Sequence, residues 1–168
     1  DGDEVRTRDG TRAAFRLLYP AGDTVRQGLA LAVADMVRPA GIEIDAVGAS
    51  WEEIEQRMHA DAVLFGWGSH DPTEMYNLYH SSLAGVEYWN PGFYRNEQVD
   101  EYLDLAMGAP DQQEAEVFWR AAQLDEHGVG FSAPADAAWA WLGNLDHTYY
   151  VDDCLDVGTP RIEPHGHG

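Results

Sequence analysis

Segments typical of strands alternate with segments typical of helices over the first 67 residues. Strand patterns span Arg12–Tyr19, Ile42–Val47 and Ala62–Trp67, and a helix pattern fills each of the two gaps. This order predicts an α/β fold with a central, mostly parallel sheet flanked by helices. Because crossovers between parallel strands are right-handed, we expect the loop after Trp67 at the carboxyl edge of the sheet, where open α/β sheets form ligand crevices.

The two helices between these strands have recognisable start signals. Asp23 or Thr24 can cap the first helix, and Ser50 with Glu53 forms a capping box for the second, which runs through Met58. Apolar residues at helical spacing predict the sheet-facing side of the first helix: Val25, Leu29, Ala32, Val33 and Met36. The third strand pattern is too apolar to have a wet face, so we expect it to be central in the sheet.

The second half of the chain is predicted to be more helical. Thr73 can cap a helix over Glu74–Ser82, Asn96 can cap another through Met107, and Asp111 opens a third. The inward residues of the last two helices follow from their apolar spacing: Val99, Tyr102, Leu103, Ala106, Ala115, Phe118, Trp119 and Ala122.

Two later segments, Ala137–Leu142 and Thr148–Val151, look like strands that return to the sheet. The 168 residues suit one domain, so we expect a single domain over 1–168. One cysteine, Cys154, excludes an internal disulfide and a cysteine-based zinc site.

The charge balance is strongly acidic. The chain has 30 acidic residues and 10 basic ones, all of them arginine, for a formal net charge of -20. Phosphate contacts need a basic face, so this balance argues against nucleic acid as a partner. It also argues against docking on an anionic membrane surface.

The loop that follows the third strand pattern is the main candidate binding region. Trp67 ends that pattern and is the best pocket candidate, while Gly68 and Ser69 leave backbone groups able to pair with an extended ligand. His70 is expected to project from the loop. Asp71 precedes a proline, and both a structural role as N-cap or turn former and a ligand contact stay open.

Arg57, near the end of the second helix, also has two interpretations. It can cap the helix C-terminus and pair with a surface carboxylate, or it can hold a ligand carboxylate through two hydrogen bonds. Aromatic residues are dense in the surrounding sequence, and most are expected in the core.

Two alternatives to a simple binding domain follow from the same residues. His70, Asp71 and His80 suggest a metal-dependent hydrolase, although their spacing does not fit a HExxH motif. The sequence has no GxSxG elbow, Walker loop or dinucleotide fingerprint, so the prediction is that the protein is not an enzyme and has no cofactor. An interaction domain that docks a partner through its aromatic loop is the third possibility.

Four segments carry a resemblance to a known family. They are RLLYPAGDTVRQGLALAVADMVRPAGIEID, then Trp51 and Arg57 followed by DAVLFGWGSHDP, then NPGFYRNEQVDEYLDLA, and finally LGNLDHTYYVDDCLDVGTPRIEPHGHG. In order and spacing they resemble the second lobe of the family 5 extracellular solute-binding proteins of ABC transporters. That family includes dipeptide-, oligopeptide- and nickel-binding members.

The resemblance implies one lobe of a two-lobed, type II periplasmic-binding-protein fold that closes like a Venus flytrap. It implies transport of peptides or a nickel complex, with an ABC permease and the first lobe of the same protein as partners. It also implies an extracytoplasmic location, periplasmic or at the cell surface, with a lipoprotein anchor. Residues that match cleft positions of the peptide-binding members are Trp51, Arg57 and Trp67.

The ligand class stays open between peptides and metal complexes. In peptide-binding members, an aspartate in the loop binds the α-amino group of the peptide, a few residues before an Asp/Glu-Pro pair. Here Gly68, Ser69 and His70 occupy that space, and Asp71 belongs to the Asp-Pro pair itself. The resulting compact loop resembles the nickel-type members more closely.

Overall fold

The structure, a computed structural model, describes residues 5–67, 71–143, 150–156 and 158. The chain divides into two compact units, Asp1–Gly66 and Trp67–Gly168. They are called the N-terminal and C-terminal units, and each is described by itself. The single domain expected over 1–168 stays a prediction. In the described part of the chain, no helix has the length and apolar character needed to cross a membrane.

The N-terminal unit contains a parallel sheet, as predicted. Its strands are β3 (Ala14–Pro20), β4 (Glu43–Ala49) and β5 (Ala62–Val63), and both β4 and β5 pair with β3 in parallel. An antiparallel hairpin of β1 (Thr7–Arg8) and β2 (Thr11–Arg12) precedes them.

The prediction that the third strand is central was wrong for the sheet that the structure describes. The strand order is β4–β3–β5, so β3 is the strand with a partner on each side. Only Ala62 and Val63 form ladder pairs, and the backbone N–H of Leu64 extends the pairing to the carbonyl of Leu18 at 2.8 Å. Residues 62–65 are only half-buried. Their apolar side chains therefore belong to a partly covered strand and not to a strand at the centre of the sheet.

The first helix, α1 (Thr24–Val37), begins where its cap predicts, with the Asp23 carboxylate accepting the N–H of Arg26 at 2.9 Å. Its predicted core face was only partly right, because Val33 packs against the core but the most buried residues are others. Ala30 and Ala34 are buried, whereas Val25 and Met36 are 54% and 78% exposed. The small side chains of Ala30 and Ala34 occupy the buried positions, and Val25 and Met36 of the predicted face point outward.

The second helix, α2 (Trp51–Arg57), is capped by Ser50, whose hydroxyl accepts the N–H of Glu53 at 3.2 Å. Leu17 and Tyr19 of β3 pack with Ala30 of α1. Leu18, which lies between them, points to the opposite face because strand side chains alternate. Helix α1 contacts β3 and β4, and helix α2 contacts β3, so helices flank the sheet, as predicted.

The described residues of the C-terminal unit form three α-helices: α3 (Glu74–Tyr79), α4 (Glu97–Gly108) and α5 (Gln112–Gln123). The predicted caps are confirmed for the last two, because Asn96 accepts the N–H groups of Gln98 and Val99, and Asp111 accepts that of Glu114. Helices α4 and α5 pack on each other. The predicted inward residues line their shared core, and five of them are buried: Val99, Leu103, Ala106, Trp119 and Ala122.

Helix α3 is shorter than predicted, and Thr73 makes no side-chain cap to it. The predicted strand Ala137–Leu142 is also wrong, because these residues form no ladder in the structure. Residues 148–149 of the predicted strand Thr148–Val151 lie outside the described residues, and the other two have no strand structure.

The chain after α5 turns back onto its own helix. The Asp125 carboxylate accepts the N–H groups of His127 and Val129, both at 2.8 Å. At Gly130, with φ 157°, an added Cβ would lie 2.2 Å from the carbonyl oxygen of Gln123. Only glycine fits this approach, which returns Phe131 to the core, where its ring stacks on Tyr79 at 3.6 Å.

Candidate ligand-binding site

Trp51 lies at the first position of α2 in the N-terminal unit. The residue is 48% exposed, and its ring is stacked on Phe65 with centroids 6.4 Å apart and planes inclined by 15°. Phe65 lies two residues after β5, so the segment that leaves the strand supplies the support for the tryptophan. One large aromatic surface therefore faces outward from a fixed position, which is a suitable geometry for contact with an apolar part of a ligand.

Arg57 lies at the end of α2 and bridges two carboxylates. Its Nε donates to Asp61 at 2.8 Å and its Nη1 donates to Glu53 at 2.9 Å. Asp61 also accepts from Arg16 at 3.1 Å, which makes a four-residue charge network. The predicted pairing of Arg57 with a carboxylate is therefore present, whereas the predicted cap of the helix C-terminus by its side chain is not among the contacts of the described residues.

The same network limits how Arg57 can hold a ligand. Among the described residues its Nη2 is buried and has no hydrogen-bond partner. A ligand carboxylate gripped through two hydrogen bonds would have to displace Glu53 or Asp61. Trp51 and Arg57 are six positions apart on α2, about 120° around the helix axis, so they lie on different faces. The structure does not bring these two residues together.

Trp67, at the start of the C-terminal unit, packs edge-on against a tryptophan far along the chain. Its ring meets Trp139 at 4.9 Å and 89°, and Trp139 stacks on Trp141 at 6.0 Å and 23°. We call Trp67, Trp139 and Trp141 the tryptophan ladder. Trp67 and Trp139 are half-buried against the helical core, whereas Trp141 is 64% exposed.

A buried tyrosine fixes the outer end of the tryptophan ladder. The Nε1–H of Trp141 donates to the hydroxyl of Tyr79 at 3.2 Å. Burial raises the pKa of Tyr79, so the hydroxyl stays protonated and neutral. Trp141 is thus held by a ring stack and a hydrogen bond although most of its surface is accessible.

Trp139 and Trp141 were missed as site residues by sequence reasoning. The segment AAWAWL was interpreted only as a strand, but its spacing contained the relevant signal. Residues two apart in an extended segment project to the same side. Trp139 and Trp141 keep this arrangement although the segment joins no sheet.

An exposed carboxylate, Asp136, is connected to the tryptophan ladder through two tyrosines. Asp136 accepts hydrogen bonds from the Tyr94 hydroxyl at 2.7 Å and from the Asn96 amide at 2.8 Å. These two bonds, that of Tyr94 above all, lower the pKa of Asp136. Tyr94 in turn contacts Tyr79 edge-on at 6.2 Å. The carboxylate therefore stays ionised close to the aromatic residues.

Asp71 has the turn-forming role that its position before a proline suggests. Its carboxylate accepts the N–H of Thr73 at 3.0 Å, and its carbonyl accepts the N–H of Glu74 at 3.1 Å. The carboxylate itself is at the surface. The other predicted loop residues, Gly68, Ser69 and His70, lie outside the described residues.

His80, part of the hydrolase hypothesis, lies in the core rather than in an open site. Its ring stacks on Tyr76 at 4.3 Å, and its Nδ1 accepts the N–H of Ser82 at 3.1 Å. Its Nε2 is buried and lies 3.4 Å from an oxygen of Asp104 without a hydrogen bond among the described residues. The described residues contain no group of three side chains able to hold a metal, and the hydrolase hypothesis gains no support.

Asn90, within one of the segments that carries the family resemblance, has a structural role. Its fully buried side chain donates to the carbonyls of His80 and Tyr94 and accepts the N–H of Tyr94. The side chain fastens the loop after α3 to the start of α4, which places Tyr94 beside Tyr79. A concave surface elsewhere, at residues 6–13, includes none of the predicted ligand-binding residues.

Comparison with known proteins gives a consistent result. Protein XP55 of Streptomyces lividans is 42% identical over 161 residues, which cover 95% of this chain and 28% of that protein. The oligopeptide-binding protein AppA of Bacillus subtilis is 26% identical over 122 residues, covering 68% of this chain and 22% of AppA. No family model matches the chain.

Among solved structures, NikZ of Campylobacter jejuni in complex with Ni(L-His) matches with a TM-score of 0.65 and 25% identity. The match covers 71% of this chain and 25% of NikZ. AppA of Bacillus subtilis in complex with a nonapeptide matches with a TM-score of 0.62. The chain thus spans about a quarter of the length of the relatives it matches.

The fold and these matches define the class: the chain is one lobe of the α/β architecture found in periplasmic binding proteins. As the resemblance predicted, its structural neighbours are family 5 extracellular solute-binding proteins of ABC transporters. The relatives named for a function are binding proteins, in agreement with the prediction that this chain is not an enzyme.

Proposed function

We propose that this chain forms one wall of the ligand cleft of an extracytoplasmic solute-binding protein, which delivers peptides or a nickel complex to an ABC permease. The observation that carries the proposal is the match to NikZ bound to Ni(L-His), at 25% identity over 71% of this chain. The relationship to the oligopeptide-binding protein AppA supports the same role.

The proposed contacts are the residues predicted from the sequence: Trp51, Arg57, Trp67, Gly68, Ser69, His70 and Asp71. Trp51 offers a supported aromatic face. Arg57 would bind a ligand carboxylate by exchanging its hydrogen bond to Glu53 or Asp61 for one to the ligand. The opposite wall would come from another lobe, and closure would occur by hinge motion between lobes. A lipoprotein anchor in the full protein is part of the same proposal.

Calorimetric titration of the 168-residue chain tests this function. The probes are trialanine, a nonapeptide and a preformed nickel–L-histidine complex. One wall supplies only part of the contacts, so we expect one probe class to bind weakly, with a Kd on the order of 1 mM. A Trp67→Leu variant should lose that binding.

Two results would contradict the proposal. The first is the absence of heat with all three probes at concentrations above 10 mM, roughly ten times the expected Kd. The second is submicromolar binding, which is incompatible with a single wall. His165 and His167 at the C-terminus can bind nickel by themselves, so the nickel titration is repeated on a variant with both changed to alanine.

A further inference from the structure

Trp141 of the C-terminal unit is held in one orientation although most of its surface is exposed to solvent. Trp141 is 64% exposed, yet its ring stacks on Trp139 and its Nε1–H is bonded to Tyr79. A surface tryptophan without such restraints would sample several rotamers, and a ligand would have to order it on binding. Because Trp141 is already oriented, its open face is ready for contact without that entropic cost.

The negative charge of the surrounding residues determines which kind of ligand group binds favourably to this face of Trp141. From residue 67 onward the sequence has 18 acidic side chains and three arginines, a formal net charge of -15. The ionised carboxylate of Asp136 is linked to Trp141 through the contacts of Tyr94 and Tyr79. This field repels an anion and concentrates cations near the aromatic surface.

Tryptophan is also the side chain whose face attracts cations most strongly, because its ring quadrupole places negative charge above and below the plane. Stacking on Trp139 leaves one face of Trp141 for such a contact. An anionic or purely apolar group would gain only from contact with the hydrophobic surface of the ring. The negative electrostatic potential around Trp141 would not favour its binding.

We propose that the exposed face of Trp141 binds a positively charged group of the ligand, an ammonium or guanidinium, through a cation–π contact reinforced by Asp136. The inference rests on the proposed function in taking the chain as part of a ligand-binding protein. It adds the chemical class of the ligand group, which is cationic. It also adds Trp141, which the sequence analysis did not identify as a site residue.

The test is NMR of the tryptophan indole N–H signals in the 168-residue chain, titrated with choline and with its neutral isostere 3,3-dimethylbutan-1-ol. The two probes have the same shape and differ in charge. We expect choline to shift the Trp141 signal and to bind about 2- to 5-fold more tightly than the isostere, the range of an exposed cation–π contact. Asp136→Asn should reduce that preference.

The control for exposure is Tyr150→Leu, which removes an aromatic ring of the same unit that is 98% exposed. This variant should keep the choline preference, whereas Trp141→Leu should abolish it. If Trp141→Leu does not fold, Tyr79→Phe serves instead, since it removes only the hydroxyl that orients Trp141 and should weaken the preference. Equal binding of choline and the isostere, or a preference unchanged in these variants, would overturn the inference.

The failure of this inference differs from the failure of the proposed function. A chain that binds the peptide or nickel probes but shows no choline preference refutes the cation site alone. A chain that prefers choline at Trp141 but binds none of those probes refutes the proposed function and leaves the cation site standing.

Discussion

The side chain of Asn90 pairs with the backbone of Tyr94 in both directions, accepting its N–H and donating to its carbonyl, each at 2.9 Å. The same side chain is fully buried and also donates to the carbonyl of His80. Three backbone groups in the interior thus depend on one amide. The arrangement of Tyr94, and through it Asp136, follows from this local pairing.

Asn90→Ala should therefore lower the free energy of unfolding by roughly 2–4 kcal/mol, because it leaves buried backbone groups without partners. Urea unfolding followed by circular dichroism measures the change. Asn77→Ala is the matched control, since among the described residues the side chain of Asn77 makes a single long hydrogen bond, 3.5 Å to Glu74. Its expected cost is within about 0.5 kcal/mol. Similar losses in both variants would contradict the structural role of Asn90.

Gly130→Ala should destabilise the chain by at least about 3 kcal/mol, because positive-φ strain adds to overlap with the Gln123 carbonyl. Gly128 is a suitable comparison, since its φ is 80° and an added Cβ would meet nothing within 4 Å. Gly128→Ala should cost only about 1 kcal/mol. Equal thermal stabilities of the two variants would argue against the close approach at Gly130.

The orientation of α1 is tested by two substitutions on opposite sides of the helix. Ala30 is fully buried against β3, so Ala30→Leu should cost about 1–3 kcal/mol through overpacking. Met36 is 78% exposed, and Met36→Gln should change the free energy of unfolding by less than about 0.5 kcal/mol. The reverse ranking in chemical denaturation would support the face predicted from hydrophobic spacing.

The hydrogen bonds to Asp136 predict an acid-sensitive contribution to stability. The folded-state pKa of Asp136 lies below its ordinary value of 3.8, chiefly because Tyr94 donates to it. The contribution is therefore present above that value and is lost as the pH falls below it through the folded pKa. Tyr94→Phe should reduce the difference in unfolding free energy between pH 6 and pH 2.

Tyr150→Phe serves as the control for this pH effect, because Tyr150 is 98% exposed. Its acid-induced loss of stability should equal that of the unmodified chain. The assignment to Asp136 fails if Tyr94→Phe shows the same pH difference as the control.

The sequence predicted best those features that depend on neighbouring residues. The caps at Asp23, Ser50, Asn96 and Asp111 each involve a side chain and an N–H two or three positions away, so the sequence contains both partners. The order of strands and helices in the N-terminal unit was predictable for the same reason.

The wrong or missing predictions concern features that depend on contacts between residues far apart in the sequence. The face of α1 depends on how closely the helix approaches β3, and hydrophobic spacing alone favours the larger side chains over Ala30 and Ala34. The tryptophan ladder joins residues 72 positions apart, Trp67 and Trp139, a pairing that no local pattern contains. Of the predicted site, the structure describes Trp51, Arg57, Trp67 and Asp71, and their contact with a ligand stays a prediction.

The stacked pair of Trp139 and Trp141 has an optical consequence. Two indoles held 6.0 Å apart with planes 23° from parallel couple their electronic transitions. Such a pair gives circular dichroism that vanishes when the rings separate. The C-terminal unit therefore has a built-in spectroscopic reporter of its own packing, one that Trp51, in the other unit and stacked on a phenylalanine, does not provide.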